Sequence, residues 1–133
     1  MSSIKQQQGM SALAWLVVIT IFGFLLLSIS KLGPHYLDNR FVVATLKSLG
    51  EDPDFSRKSV SDVREQLSRI FQINNIRGKP TESVKVFKNS NGTIVTIAYE
   101  ERIEFLYNID VVLTFNSVLD SSQPDKCCTP PKE

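Results

Sequence analysis

An apolar run near the amino terminus, from Met10 to Ile29, constrains the fold of this chain more than any other feature. The run contains no charged residue and is closed by Lys31. At about 1.5 Å per residue, a helix of this length spans roughly 30 Å, which matches the hydrocarbon core of a bilayer. A helix in a soluble protein rarely stays apolar on every face for so long. We therefore predict a transmembrane helix over residues 10–30, preceded by a polar leader over residues 1–9.

A cleaved signal peptide is the competing interpretation of the same run. Signal peptides have an apolar core of about 7–15 residues and a cleavage site with small-x-small spacing. Ser28 and Ser30 have that spacing, but the apolar core is too long. We therefore favour an anchor that the mature protein retains.

The charges of the chain lie almost entirely beyond the apolar run. Lys5 is the only ionisable side chain before residue 31, so residues 31–133 contain 14 basic and 14 acidic residues. This balance gives no electrostatic reason to expect a nucleic-acid partner. The segment is long enough for one small domain.

A Gly-Pro pair, Gly33-Pro34, interrupts the helical pattern directly after the run. Proline lacks a backbone N–H and crowds the preceding turn, so the pair either ends the helix or kinks a longer one. Helical periodicity resumes and predicts a helix over residues 35–49. A second predicted helix begins at Ser59, with Asp62 as its capping-box partner, and fades at Asn74-Asn75. Gly33 and Pro34 are thus the candidate membrane hinge.

From Ser83 the hydrophobic period changes from helical spacing to two, which predicts strands. An Asn-Gly pair at Gly92 marks a hairpin turn between the first two strands. The predicted strands comprise residues 83–88, 93–102 and 109–119. The fold class is therefore α+β: an N-terminal transmembrane helix, then two helices packed on a three-stranded antiparallel sheet. We assign residues 31–120 to this domain and residues 121–133 to a disordered tail.

Two adjacent cysteines, Cys127 and Cys128, lie in that tail. Two neighbouring thiolates do not supply the four ligands of a structural zinc site. A vicinal disulfide, an intermolecular bridge and a lipidated pair are alternatives to the interpretation that we favour, a flexible tail with incidental cysteines.

The one acidic cluster of the predicted sheet comprises Glu100, Glu101 and Glu104, with Arg102 among them. Paired carboxylates perform acid–base chemistry when burial or a neighbour changes their pKa. We interpret the cluster instead as a solvated strand end. Asp110 follows on the outward face of the next strand. If the chain were an enzyme, Glu100, Arg102, Glu104 and Asp110 would be its candidate group.

No other pattern predicts catalysis. His35 has no Cys, Ser or Asp partner at a telling spacing, and the chain has neither a Gly-rich phosphate loop nor a G-x-S-x-G motif. We expect a protein without catalytic residues, cofactor, metal or small-molecule substrate.

The leader has a second feature: Lys5, a polar spacer and Gly9 lie directly before the apolar run. This arrangement resembles the leader of type IV pilins and pseudopilins. In that family a peptidase cuts after the glycine, and the fifth mature residue is usually Glu. Here the fifth residue is Ala14. The resemblance implies a pseudopilin-like filament component as the alternative function.

A resemblance over nearly the whole chain comes from three stretches, QQQGMS, KLGPHYLDN and YEERIEFLYNIDVVLTF. In this order and at these distances they resemble domain-of-unknown-function family 4845, which comprises small single-pass inner-membrane proteins of Gram-negative bacteria. The matching positions are Gly9, Gly33, Pro34, Tyr36, Leu37, Asp38, Tyr99, Glu100, Arg102, Asn108 and Asp110. The resemblance implies a cytoplasmic amino terminus and a periplasmic domain, and it brings no biochemical activity.

These observations together predict a membrane-anchored, non-enzymatic interaction or accessory protein of the bacterial inner membrane. Its expected partners are the membrane and another inner-membrane or envelope protein, such as signal peptidase or a secretion machine. Because Gly33-Pro34 leaves almost no linker, we expect the domain to lie close to the bilayer.

Overall fold

The structure, a computed structural model, describes residues 11–129. Its helices are α1 (Ala12–Gly50), α2 (Val60–Ile73) and the single-turn α3 (Lys79–Glu82). Its strands are β1 (Val84–Asn89), β2 (Gly92–Leu106) and β3 (Ile109–Asp120), and they form one antiparallel sheet in the order β1-β2-β3. Short 3-10 turns lie at Phe55–Arg57 and Pro124–Lys126. The predicted α+β class, with an apolar N-terminal helix and a three-stranded antiparallel sheet, is confirmed.

Helix α1 is a single helix of 39 residues that contains Pro34 in its interior. Ser11 caps its start, because its hydroxyl oxygen accepts a hydrogen bond of 3.3 Å from the backbone N–H of Ala14. The helix predicted over residues 35–49 is therefore the second half of α1 rather than a separate element. A proline removes one backbone hydrogen bond from a helix, and the turns on both sides of Pro34 keep theirs. Of the two outcomes open for Gly33-Pro34, the structure has the helix that continues.

Helix α2 begins with the predicted capping box. The Ser59 hydroxyl accepts a hydrogen bond of 3.2 Å from the Asp62 N–H, and the Asp62 carboxylate accepts one of 3.3 Å from the Ser59 N–H. Hydrogen bonding to the carboxylate from the Ser59 side chain, and then from the Ser59 N–H, lowers the pKa of Asp62. Two N–H groups at the helix start are thereby satisfied.

The hydrophobic core lies between one face of the sheet and the second half of α1 together with α2. Buried apolar side chains in it include Val42, Leu46 and Leu49 of α1, Val63, Leu67 and Phe71 of α2, and Val95, Ile97 and Leu119 of the strands. Along β2, every second residue from Thr93 to Phe105 is buried, apart from Glu101, which is half-buried. The strand alternation predicted from the sequence places these side chains on the core face.

Strands β2 and β3 form a long hairpin that extends beyond β1. Strand β1 pairs only with residues 92–97 of β2, whereas β3 pairs with β2 as far as Leu106 opposite Ile109. The register shifts by one residue at Phe105, between Glu104 and Leu106. The predicted strand end at residue 102 is therefore too early, because cross-strand pairing continues to the tight turn at Tyr107 and Asn108.

Residues 121–129, which the sequence assigns to a disordered tail, have a defined place on the domain. The Ser121 hydroxyl accepts a hydrogen bond of 2.8 Å from the Thr93 N–H, and the Ser121 N–H donates one of 3.0 Å to the Thr93 carbonyl. Cys127 and Cys128 are paired with each other and pack, partly buried, against the core. These contacts hold the segment against the domain. Its polar composition alone does not predict them. Residues 130–133 lie outside the described part of the chain.

Candidate functional site

The first half of α1 is long and apolar enough to cross a membrane, and its side chains have little protein around them. Two of its polar side chains bond within the helix. The hydroxyls of Thr20 and Ser28 each donate a hydrogen bond of 2.8 Å, to the carbonyls of Leu16 and Phe24 respectively. A segment in lipid needs such internal bonding because the hydrocarbon offers no partners.

The β2–β3 hairpin runs along α1 and contacts it at three successive levels. The rings of Tyr36 and Phe115 meet edge to face with their centroids 5.5 Å apart. Further toward the helix start, the Lys31 Nζ donates a hydrogen bond of 2.7 Å to the Glu104 carbonyl.

The third contact lies inside the apolar run. The ring of Phe24 meets that of Phe105 edge to face, with centroids 5.7 Å apart. Tyr36 and Phe24 are separated by about 18 Å along a helix. Tyr99, the strand partner of Phe115, and Phe105 are separated by about 20 Å along a strand. The two lengths agree, so the hairpin follows the helix from the core into the apolar run.

Gly33 and Pro34, the candidate hinge, lie in α1 between the Tyr36 and Lys31 contacts. A Cβ added to Gly33 would meet nothing within 4 Å, so close packing does not require glycine here. Their role as a hinge stays a prediction.

Two of the positions shared with the family meet through a third residue. Tyr99 and Phe115 have ring centroids 5.2 Å apart, and Phe115 also contacts Tyr36. Tyr99 is buried, and its hydroxyl makes no hydrogen bond to the described residues. Burial, followed by the negative charges of Asp38 and Glu101, raises the pKa of Tyr99 to about 12. Tyr99 is therefore a neutral packing residue near pH 7, and not a proton acceptor.

The four residues of the candidate acid–base group lie on the exposed face of the hairpin. Arg102 and Asp110 form an ion pair with 3.7 Å between Nη1 and Oδ2, and Glu104 lies opposite Asp110. Glu100 and Glu104 are exposed, and Asn108 lies in the turn at the hairpin end. Catalytic carboxylates need a partly desolvated setting, which these positions lack. Among residues 11–129, no group of three His, Cys, Asp or Glu side chains is placed to hold a metal ion.

The sequence interpretation brought together neither Phe24 with Phe105 nor Lys31 with Glu104. One signal was present: the segment between Glu104 and Asp110 is uncharged and largely apolar, although turns usually consist of Gly, Pro, Asn, Asp and Ser. Gly9, the remaining position shared with the family, lies outside the described residues.

The family model for a domain of unknown function, DUF4845, matches residues 31–115. The match begins at the lysine that contacts the hairpin and ends at the phenylalanine between the two tyrosines. It confirms the resemblance found from the sequence stretches. No curated protein and no solved structure matches the chain.

Proposed function

The chain belongs to the DUF4845 family, and we propose that it is a membrane-anchored, non-enzymatic protein that binds another protein of the bacterial inner membrane or envelope. In this proposal the amino terminus is cytoplasmic and the domain is periplasmic. Signal peptidase and secretion machines are the partner classes that we would examine first.

The observation that carries the proposal is the continuity of α1 from the apolar run into the core. A helix anchored in the bilayer and packed on the sheet holds the domain at one height and in one orientation. Such placement favours binding a neighbour that is itself fixed in the membrane, since less orientational freedom is lost on association.

The exposed face of the sheet and the free edge of β3 offer the domain two surfaces for that neighbour. Strand β3 pairs only with β2 among the described residues, so its outer edge presents backbone groups to which another strand can add. The face carries Glu100 with Thr114 directly opposite on β3.

Site-specific photocrosslinking in intact cells tests the proposal. A photoreactive amino acid at Thr114 should yield a discrete adduct with one envelope protein. The matched control is the same amino acid at Arg69, on the exposed side of α2, which should yield none. No adduct at Thr114, Glu100 or the β3 edge, with recovery of the protein alone in mild detergent, would contradict the proposal.

The proposed orientation has its own test. In cells where Cys127 and Cys128 are replaced by Ser, a membrane-impermeant maleimide should label a cysteine placed at Ser90 and not one at Ser2. The reverse labelling would place the domain in the cytoplasm.

A pseudopilin-like filament component is a second candidate, favoured by the exposed apolar first half of the 39-residue α1, which a filament core would bury. The mass of the mature amino terminus separates the two functions. Processing after Gly9 would leave Met10 as the first residue and favour the filament. Because Ala14 stands where type IV pilins and pseudopilins usually have Glu, we expect the leader to remain intact.

A further inference from the structure

The end of the β2–β3 hairpin, residues 105–109, is uncharged and largely apolar, and all of it is exposed except Phe105, which is buried and contacts Phe24 of α1. We name it the hairpin tip. Tyr107 is fully exposed, and Leu106 and Ile109 are 41% and 57% exposed. Turns on the surface of a soluble domain usually carry small polar residues, so this composition requires a reason.

The level of the hairpin tip follows from its contacts with α1. Lys31 bonds to Glu104, and from there Phe24 lies about 10 Å further toward the helix start. Tyr107 lies about 10 Å beyond Glu104 along the hairpin. The Phe24–Phe105 contact fixes the two segments side by side. The hairpin tip therefore lies beside the apolar run, between the level of Lys31 and the start of α1.

The charges around the hairpin tip are arranged in one layer. Lys31 marks the end of the apolar run and donates a hydrogen bond to the backbone carbonyl of Glu104, a residue whose own side chain is exposed. Asp110 lies opposite Glu104 and pairs with Arg102. Beyond this layer the five residues of the hairpin tip carry no charge. A charged layer above an apolar, aromatic end is the pattern of a segment that enters a membrane interface, where tyrosine is enriched.

The backbone conformation of the turn is a further unusual feature of the hairpin tip. Tyr107 has φ of +49°, a left-handed conformation that costs free energy for a residue with a Cβ. Glycine would avoid this cost but would supply no aromatic side chain. The strain is understandable if the tyrosine side chain has a contact outside the domain.

We propose that the hairpin tip inserts into the bilayer beside α1 and gives the domain a second attachment to lipid. The occupant of this surface is the lipid bilayer rather than another protein, because the hairpin tip is continuous with the apolar run through Phe24 and Phe105. The inference rests on the membrane anchoring in the proposed function. Two attachments prevent the domain from rotating about the helix axis.

Tryptophan fluorescence of the full chain in vesicles tests this insertion. Trp15 is the only tryptophan, so Trp15→Phe gives a silent background. In it, Tyr107→Trp reports on the hairpin tip. The control Phe87→Trp reports on an exposed aromatic position near the opposite end of β2. The vesicles contain phosphatidylcholine and phosphatidylglycerol, with or without brominated acyl chains.

We expect Tyr107→Trp to emit at shorter wavelength than Phe87→Trp and to be quenched by brominated lipid. Its quenching constant for aqueous iodide should be at least about threefold lower than that of Phe87→Trp. Leu106→Trp is a second reporter for the case in which the Tyr107 substitution disturbs the turn, and it should behave in the same way.

Two outcomes would overturn the insertion while the anchor stands, as shown by quenching of the native Trp15 by brominated lipid. In the first, iodide quenches the hairpin-tip reporters as strongly as Phe87→Trp. In the second, neither iodide nor brominated lipid quenches them, which indicates cover by protein, such as a second copy of the chain. If brominated lipid quenches neither Trp15 nor the hairpin-tip reporters, the anchor fails as well, and both proposals are wrong.

Discussion

At the residue scale, Tyr99 is a titratable side chain whose surroundings disfavour its charged form. It packs on Phe115 in the core, and its hydroxyl has no hydrogen-bond partner among the described residues. Ionising it would place a negative charge in an apolar setting close to Asp38 and Glu101, which explains why its pKa is raised to about 12. Tyr99, one of the positions shared with the family, is thus a packing residue of the core.

The pH dependence of stability follows from this pKa. An unfolded tyrosine titrates near pH 10, so the folded state binds the proton more tightly. The stabilisation is fully present below about pH 10 and is lost as the pH rises from about 10 to about 12. We expect Tyr99→Phe to unfold with a shallower loss of stability over this interval than the wild type, measured by urea unfolding in detergent micelles.

The matched control for that prediction is Tyr36→Phe, at an exposed tyrosine beyond the apolar run, which should keep the wild-type slope. Near pH 7, Tyr99→Phe should change the free energy of unfolding by no more than about 1 kcal/mol, since no hydrogen bond is removed. Equal slopes for Tyr99→Phe and the wild type would show that folding does not raise the pKa of Tyr99.

At the scale of elements, α1 and α2 obtain their stability in different ways. Helix α1 includes a proline whose local cost is about 3 kcal/mol, and it continues because both of its halves have long runs of intact hydrogen bonds and its second half packs on the sheet. Helix α2 has a capping box at Ser59 and an apolar stripe through Val63, Leu67 and Phe71. The signals of α2 are local and therefore readable from sequence.

Removing the cap of α2 should have a measurable cost. Ser59→Ala leaves the Asp62 N–H without its side-chain acceptor, and we expect the free energy of unfolding to fall by about 1 kcal/mol. Ser56→Ala, at an exposed serine before the helix, is the control and should change it by less than about 0.5 kcal/mol. Thermal unfolding followed by circular dichroism measures both, and equal values for the two variants would contradict a capping role.

At the scale of the whole molecule, the arrangement that matters is the hairpin lying along α1, a helix long and apolar enough to cross a membrane. Contacts at Tyr36, Lys31 and Phe24 hold the hairpin against α1 over its whole projecting length. Helix α1 and the domain therefore form one unit, and in the proposed anchoring the helix sets the position of the domain relative to the bilayer.

A double-mutant cycle tests whether the helix and the hairpin are energetically coupled. We expect Phe24→Ala and Phe105→Ala to show a coupling energy of about 0.5–1.5 kcal/mol in unfolding of the full chain in micelles, because their rings meet edge to face. The control cycle combines Phe24→Ala with Phe87→Ala, whose rings do not meet. Coupling at Phe24 and Phe105 no larger than in the control would mean that the hairpin moves independently of the anchor.

The sequence by itself determined the features that depend on neighbours along the chain. The uncharged run indicated a membrane-spanning length, Ser59 and Asp62 marked a helix start, and a period of two placed Val95, Ile97 and Tyr99 on one face. Each of these follows from local geometry, which repeats every few residues.

Tertiary structure alone decided how these elements meet. The helix passes through Gly33-Pro34, the Phe105 ring lies on Phe24, and Arg102 reaches Asp110 across the hairpin. The two cysteines of the expected tail lie against the core. These contacts join residues that are distant along the chain or depend on strand register, and their energies outweigh local preferences such as the cost of a proline in a helix. The position of the hairpin along α1 is therefore a property of the folded molecule.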